Sequence, residues 1–136
     1  MSGASSWSLA EADHDRIVVL LTAFLRESNA RTALLVDRTG QMVATAGEPP
    51  EFDPTTFASL AAADFSANDQ LARLIGEPEF GSLFHQGETA SMYLADIARR
   101  VILVVLFDTR TTLGLVKVRV RGTVGAPQQQ GGRAQR

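Results

Sequence analysis

Two histidines with acidic neighbours are the residues of this sequence that could do acid–base or metal chemistry. His85 stands three positions before Glu88, and His14 lies between Asp13 and Asp15. A histidine beside a carboxylate can act as a general base or a metal ligand. The chain has two histidines and no cysteine, so neither group completes a metal-binding or nucleophilic set. We expect both histidines to be structural or solvated, and we assign no catalytic residue, no metal ligand and no cofactor.

Three arginines are of the type that stabilises negative charge during phosphoryl transfer. Arg99 and Arg100 fall in a predicted hairpin turn, and Arg110 follows a predicted strand. Charges in turns and loops are usually solvated, so we interpret them as surface residues. The segment 37–40, "DRTG", contains a glycine but lacks the phosphate-binding glycine pattern of nucleotide sites. The sequence therefore predicts no nucleotide binding by this chain itself.

Composition restricts the classes of protein to which the chain can belong. Its 136 residues, 45% of them hydrophobic, are sufficient for one domain with its own core. A net charge of −2 argues against nucleic acid as a partner. The first residues show neither the basic nor the apolar region of a secretory signal. The longest apolar run, 101–107, is far shorter than the roughly 20 residues of a membrane span. We expect a cytoplasmic protein that is not inserted in a membrane.

Both ends of the chain differ in composition from its middle. Residues 1–7 are mostly small and polar, and 122–136 consist mainly of Gly, Gln, Ala and Arg. Such segments have little apolar surface to bury. The sequence therefore predicts a flexible N-terminus over 1–7, a domain over 8–121 and a disordered tail over 122–136.

Two helices are predicted from capping signals and apolar spacing. Ser8 and Glu11 form a capping-box pattern for a first helix that ends near Asn29. Its expected apolar face consists of Ile17, Leu20, Leu21, Phe24 and Leu25. For the second helix, Asp53 is the expected N-cap, Pro54 the first residue, and Gly76 a stop signal. Its expected apolar face consists of Phe57, Leu60, Ala61, Leu71, Leu74 and Ile75.

Five segments have the pattern of β-strands. Residues 32–37 and 41–46 flank a turn in which Gly40 can adopt positive φ. Three further strands are predicted within 82–87, 89–98 and 101–107. The last of these is apolar on both faces, which is typical of a central strand covered on each side. We expect a five-stranded antiparallel sheet between helices.

The segment that follows, 113–121, is ambiguous. Val116, Val118 and Val120 alternate with basic residues, and alternating β-branched residues favour a strand. A helix that covers the open face of the sheet would also fit the segment. The residues alone favour the strand.

Four segments in register resemble the Roadblock/LC7 family: "LLVDRTGQMVATAG", "SLAAADFSANDQLARLIGEPEF", "HQGETASMYL" and "VILVVLFDTRTTLGLVKVRV". The resemblance covers about 17–121. It implies an α+β sandwich with the order α-β-β-α-β-β-β-α and a five-stranded antiparallel sheet. It also makes the ambiguous segment a last helix, capped by Thr111 or Thr112 and shortened by Gly122 and Gly125.

The resemblance is greatest to bacterial family members that partner Ras-like small GTPases of the MglA type. It implies a homodimer that is not itself an enzyme. The dimer would stimulate GTP hydrolysis by repositioning the catalytic groups of the GTPase, and it would act in the control of cell polarity and gliding motility. The expected GTPase contact is the outward face of the second helix, namely Ala62, Ala63, Ser66, Asp69, Gln70 and Arg73. Asn68, Asp69 and Gln70 are more polar than is usual there. The alternative is a non-catalytic Roadblock adaptor that binds a GTPase or signalling complex without activating hydrolysis.

Overall fold

The computed structural model describes residues 3–77 and 81–124, with side chains described over 13–77 and 81–123. Three helices and five strands follow one another in the predicted order. They are α1 (Gly3–Ser28), β1 (Thr32–Asp37), β2 (Met42–Gly47), α2 (Pro54–Leu74), β3 (Ser82–Gln86), β4 (Ser91–Ile97), β5 (Val101–Phe107) and α3 (Leu113–Val124). No helix in these ranges has the length and apolar character needed to cross a membrane.

The strands form one antiparallel sheet in the order β2-β1-β5-β4-β3. The central position predicted for 101–107 is confirmed. Along β5, Leu103 and Val105 pack under α1 and α3, whereas Ile102 and Val104 pack under α2. A strand covered on both faces needs apolar residues at every position, which explains the continuous run.

The first hairpin closes as expected around Gly40, whose φ is +94°. Asp37 Oδ1 accepts hydrogen bonds from the backbone N–H groups of Thr39 and Gln41, both at 3.0 Å. These hydrogen bonds and the one from the Thr39 hydroxyl lower the pKa of Asp37. The aspartate thus occupies the backbone N–H groups of the turn.

Helices cover both faces of the sheet. Leu21, Phe24 and Leu25 of α1 are buried with Val116 and Val120 of α3 on one face. The helix α2 covers the opposite face. This is the sandwich implied by the family resemblance.

Two predictions about α1 are wrong. The helix begins at Gly3, so Ser8 and Glu11 lie inside it and do not mark its start. Leu20, predicted for the core, is 53% exposed because the buried face centres on Leu21 and Phe24.

The ambiguous last segment is helical. Thr112 caps it, since its Oγ1 accepts a hydrogen bond from the N–H of Leu115 at 3.1 Å. Gly122 does not end the helix, which continues to Val124, past the predicted domain boundary at 121. Gly125 and the rest of the predicted tail lie outside the described residues.

Candidate interaction surface on α2 and β3

Local sequence signals set both ends of α2. Asp53 Oδ2 accepts a hydrogen bond from the N–H of Thr56 at 3.1 Å, and Pro54 is the first helical residue. The hydrogen bonds from Thr56 lower the pKa of Asp53. Gly76 follows the helix with φ +95°, a conformation that favours glycine. The predicted start and stop are therefore confirmed.

The buried face of α2 consists mainly of small residues. Phe65 is 1% exposed and shares a core cluster with three buried alanines of the same helix, namely Ala58, Ala61 and Ala62. Alanine side chains let the helix approach the sheet closely, and the sheet supplies the larger side chains Leu34, Leu94 and Ile102. The core on this side thus depends on Phe65, with Phe57 packed at its margin, and on the strands.

Four residues of the predicted apolar face, three leucines of α2 and Ile75 directly after it, point outward, so their predicted core role is wrong, whereas Phe57 and Ala61 pack against the core as predicted. The exposed fractions are 65% for Leu60, 58% for Leu71, 82% for Leu74 and 80% for Ile75. Together with exposed Ala67 they form what we call the apolar stripe. Leu60, Ala67 and Leu74 are seven residues apart, the repeat with which one helix packs along another. The sequence interpretation missed this surface, although the seven-residue spacing was a readable signal.

The six residues predicted to contact a GTPase do not form one exposed surface. Ala62 is 7% exposed and belongs to the core, so it is not on the outward face. The other five lie together on the flank of α2 beside the apolar stripe, and we call them the polar flank. They are the exposed Ala63, Ser66, Gln70 and Arg73 and the half-buried Asp69.

Contacts within the polar flank run along the helix. Arg73 Nη2 is 3.1 Å from Asp69 Oδ2, and Gln70 Nε2 donates to Ser66 Oγ at 3.4 Å. Both are contacts between residues four positions apart on an exposed helix surface, which are weak. These side chains can therefore exchange their partners for those of a bound protein at little cost.

The strand β3 lies at the edge of the sheet and hydrogen-bonds to β4 alone among the described strands. Phe84 stacks on Phe107 on the α1/α3 side, with ring centroids 6.1 Å apart. On the α2 side, His85 Nε2 is 2.8 Å from Asp64 Oδ2. His85 thus links β3 to α2, in keeping with the structural role expected for it.

The apolar stripe and the edge strand are neighbours. Leu71, Leu74 and Ile75 line a shallow groove together with Gly81 and Ser82, at the start of β3. A protein that pairs with the edge of β3 therefore also meets the stripe.

The candidate arginine finger Arg110 is engaged within the chain. It contacts Asp108 at 3.0 Å and Glu48 at 3.2 Å, and Arg31 contacts Glu48 at 3.1 Å. Hydrogen bonds from Arg110 lower the pKa of Asp108 and Glu48, and the same partners raise that of Arg110. The group clamps the start of α3 to β2, which supports a structural role.

The remaining candidates stay apart from one another. His14 is exposed on α1, and Glu88 is exposed in the loop after β3. No cluster of three or more histidine or acidic side chains that could hold a metal occurs in the described ranges.

Comparison with known proteins identifies the fold family. The Roadblock/LC7 domain model matches residues 17–107. MglB of Myxococcus xanthus is 37% identical, with 87% of this chain and 96% of that chain covered and a TM-score of 0.77. The gliding protein MglB of Thermus thermophilus is 35% identical, with 83% and 86% covered and a TM-score of 0.76. A search of curated proteins found no match. The chain belongs to the Roadblock/LC7 family.

Proposed function

We propose that this protein is a homodimeric, cytoplasmic regulator that binds a Ras-like GTPase of the MglA type and stimulates its GTP hydrolysis. Similarity to two MglB proteins over most of their length supports this function, and with it a role in cell polarity or gliding motility. The observation that carries the proposal is the exposed apolar stripe on α2 beside the open edge of β3.

The chemistry of these two elements supports the proposed homodimer. An open strand edge satisfies its backbone groups by pairing with a second strand, and a two-fold axis brings the same strand of a second copy there. That pairing also brings the two α2 helices together along Leu60, Leu71 and Leu74. Burying one such leucine completely contributes about 1.5–3 kcal/mol. In the proposed dimer, burial of the stripe therefore supplies most of the free energy of association, and pairing of the two β3 strands fixes how the two copies are aligned.

The polar flank is the proposed GTPase contact, with Ala62 excluded because it is buried. It is exposed and lies beside the stripe, so two copies of it would form one continuous surface in the dimer. A surface that binds the active arrangement of the GTPase more tightly than the inactive one shifts the population between them. A difference of about 1.4 kcal/mol between the binding free energies of the two arrangements changes their population ratio tenfold. No side chain of this protein need enter the GTPase site.

The experiment measures GTP turnover by an MglA-type GTPase from the same genome, with and without this protein. Complex formation is followed in parallel by size-exclusion chromatography. The test variant combines Ser66→Arg with Gln70→Arg, because both residues are exposed and one helical turn apart. Glu27→Arg is the matched control, since Glu27 is exposed on α1, across the sheet.

Stimulated turnover that the test variant loses and the control keeps is the expected result. A complex without stimulation would establish the adaptor alternative, and no complex would refute the proposed partner. Dimer formation is measured separately by sedimentation, with Leu74→Glu expected to yield monomers and Thr55→Glu, on the same helix but off the stripe, to stay dimeric. A dimeric Leu74→Glu would place the interface elsewhere.

A further inference from the structure

A second exposed apolar surface lies on α1 and α3, across the sheet from α2. Val19 and Leu20 of α1 are 66% and 53% exposed, and Leu115 and Val118 of α3 are 36% and 55% exposed. Single exposed apolar residues are ordinary, but four on two adjacent helices form a patch. We call these four residues the outer patch.

The outer patch is one surface because α1 and α3 pack side by side. Leu21 of α1 shares a core cluster with Val116 and Val120 of α3. Asn29, which follows α1, donates a hydrogen bond to the carbonyl of Arg110, which precedes α3, at 2.8 Å. The end of α1 thus meets the start of α3, and the two helices run antiparallel.

Basic residues flank the outer patch. The helix α3 contains Lys117, Arg119 and Arg121 and no acidic residue, and Arg26 is exposed in the last turn of α1. None of these four forms an ion pair with a described side chain. In contrast, Arg16, Arg31, Arg38, Arg73 and Arg110, which lie elsewhere, each contact an acidic side chain. Unpaired positive charge is therefore concentrated beside exposed apolar residues, in a chain whose net charge is −2.

We propose that the outer patch binds an acidic amphipathic helix of a partner protein. Leucine-type residues of such a helix would cover Val19, Leu20 and Val118, and its glutamates or aspartates would meet Arg26, Arg119 and Arg121. A third helix laid against two antiparallel helices packs its side-chain ridges into the grooves between theirs. The partner is recognised by its negative charge as well as by its apolar face.

Other charges on the same layer favour a protein over a membrane. Asp13, Asp15 and Glu27 are exposed on α1. A bilayer that carries anionic lipids would repel these carboxylates across its whole plane, whereas a helix that crosses α1 at Leu20 passes between Asp13 and Glu27, each seven residues away from Leu20. The described side chains of the patch are aliphatic, without the aromatic residues that favour membrane interfaces.

The outer patch lies across the sheet from the apolar stripe and the polar flank. A partner bound there would leave α2 and β3 accessible. The protein would then hold an acidic partner and its GTPase simultaneously. This inference does not depend on the proposed GTPase activity, since neither the stripe nor the flank contributes to the patch.

The test uses two synthetic helical peptides of about 18 residues, long enough to hold a helix in water. Both place leucine at positions i, i+3, i+4 and i+7, four flanking positions carry glutamate in one and lysine in the other, and the remaining positions are alanine, which favours the helix. Fluorescence anisotropy gives affinities for the full-length protein, and NMR chemical-shift mapping locates the site. Two test variants are used, the double variant Arg119→Glu with Arg121→Glu and the single variant Val118→Asn. The control is Arg100→Glu, which reverses an exposed charge away from the patch. Circular dichroism confirms that each variant is folded.

We expect the glutamate peptide to bind α1 and α3, and its affinity to fall as salt is added. The double charge reversal and Val118→Asn should each weaken it about tenfold or more, as expected for contacts inside a charged interface. Arg100→Glu should leave it unchanged. The proposal would be refuted if the lysine peptide bound equally well, if the NMR chemical-shift changes were confined to α2, or if the glutamate peptide did not bind. If the protein does not bind the glutamate peptide but binds phosphatidylserine vesicles, the patch binds a membrane. If it does not bind the peptide and Val118→Asn loses self-association, the patch binds a second copy of the chain.

Discussion

His85 Nε2 lies 2.8 Å from Asp64 Oδ2, and this contact joins the edge strand β3 to the middle of α2. Asp64 is held in turn by Asn68, whose Nδ2 donates to its other carboxylate oxygen at 3.0 Å. The two elements proposed to meet a second copy are thereby aligned by a polar contact. Both side chains are partly exposed, so the contact is weak in itself and important for geometry.

The first prediction concerns this pair. A double-mutant cycle with His85→Ala and Asp64→Ala should give a coupling of about 0.2–1 kcal/mol in urea unfolding, the range of exposed ion pairs. Each single variant should also raise the dissociation constant of the dimer, measured by sedimentation, because β3 is no longer fixed to α2. The control pair is Asp69 and Arg73, also on α2 but away from β3. If both pairs affect dimerisation equally, alignment by His85 is not the cause.

The second prediction separates the two faces of α2. Phe65→Ala should lower the free energy of unfolding by about 3–5 kcal/mol, since it leaves a cavity between the alanines of α2 and the sheet. Leu74→Ala should change it by no more than about 0.5 kcal/mol in dilute protein, because that side chain is exposed in the monomer. Chemical denaturation at concentrations that keep the protein monomeric measures both. A large loss in Leu74→Ala would show that the stripe packs within one chain.

The assignment of α2 shows which sequence signals were informative. Its ends could be predicted because Asp53, Pro54 and Gly76 act through local backbone geometry. Its buried face could not, because the apolar spacing that predicts it combines Phe57 and Ala61, which pack on the sheet, with leucines such as Leu71 that face outward. How closely a helix can approach depends on the side chains of the sheet below it, which are distant in sequence. Hence Ala62 was expected outside and Leu74 inside.

The last helix shows the opposite case, in which local residue preference was misleading. Val116, Val118 and Val120 would share one face of a strand. In the helix, Val116 and Val120 are buried and Val118 is 55% exposed. Packing against α1 outweighs the β preference of valine. Only the family resemblance predicted this helix from the sequence.

The third prediction concerns the turn between β4 and β5. Ala98 and Arg99 have φ values of +56° and +61°, and the N–H of Arg100 donates to the carbonyl of Ile97 at 3.0 Å. Two-residue turns of this kind favour Asn-Gly, since other residues are strained at positive φ. Ala98→Asn with Arg99→Gly should therefore raise the free energy of unfolding by about 1 kcal/mol. Ala98→Val, in contrast, should lower it. Urea unfolding measures both, and a less stable Asn-Gly variant would show that the Arg99 side chain outweighs the backbone strain.

The fourth prediction is acid sensitivity of the clamp around Arg110. Hydrogen bonds from Arg110 lower the pKa of Asp108 and of Glu48 from their usual values of 3.8 and 4.5. The stability that a carboxylate with a lowered pKa contributes is fully present above its unfolded-state pKa and is lost as the pH falls through the folded-state value.

The variants Glu48→Gln and Asp108→Asn should therefore be less stable than the parent protein at about pH 7, and the difference should shrink as the pH falls to about 3, below the unfolded-state pKa values of both carboxyls. Urea unfolding at both pH values measures this change. Glu88→Gln is the control, because Glu88 is exposed and forms no ion pair with a described residue. A difference between Glu48→Gln and the parent protein that stays constant across the pH range would mean that the clamp acts through shape, since the charge of Glu48 would then contribute nothing to stability.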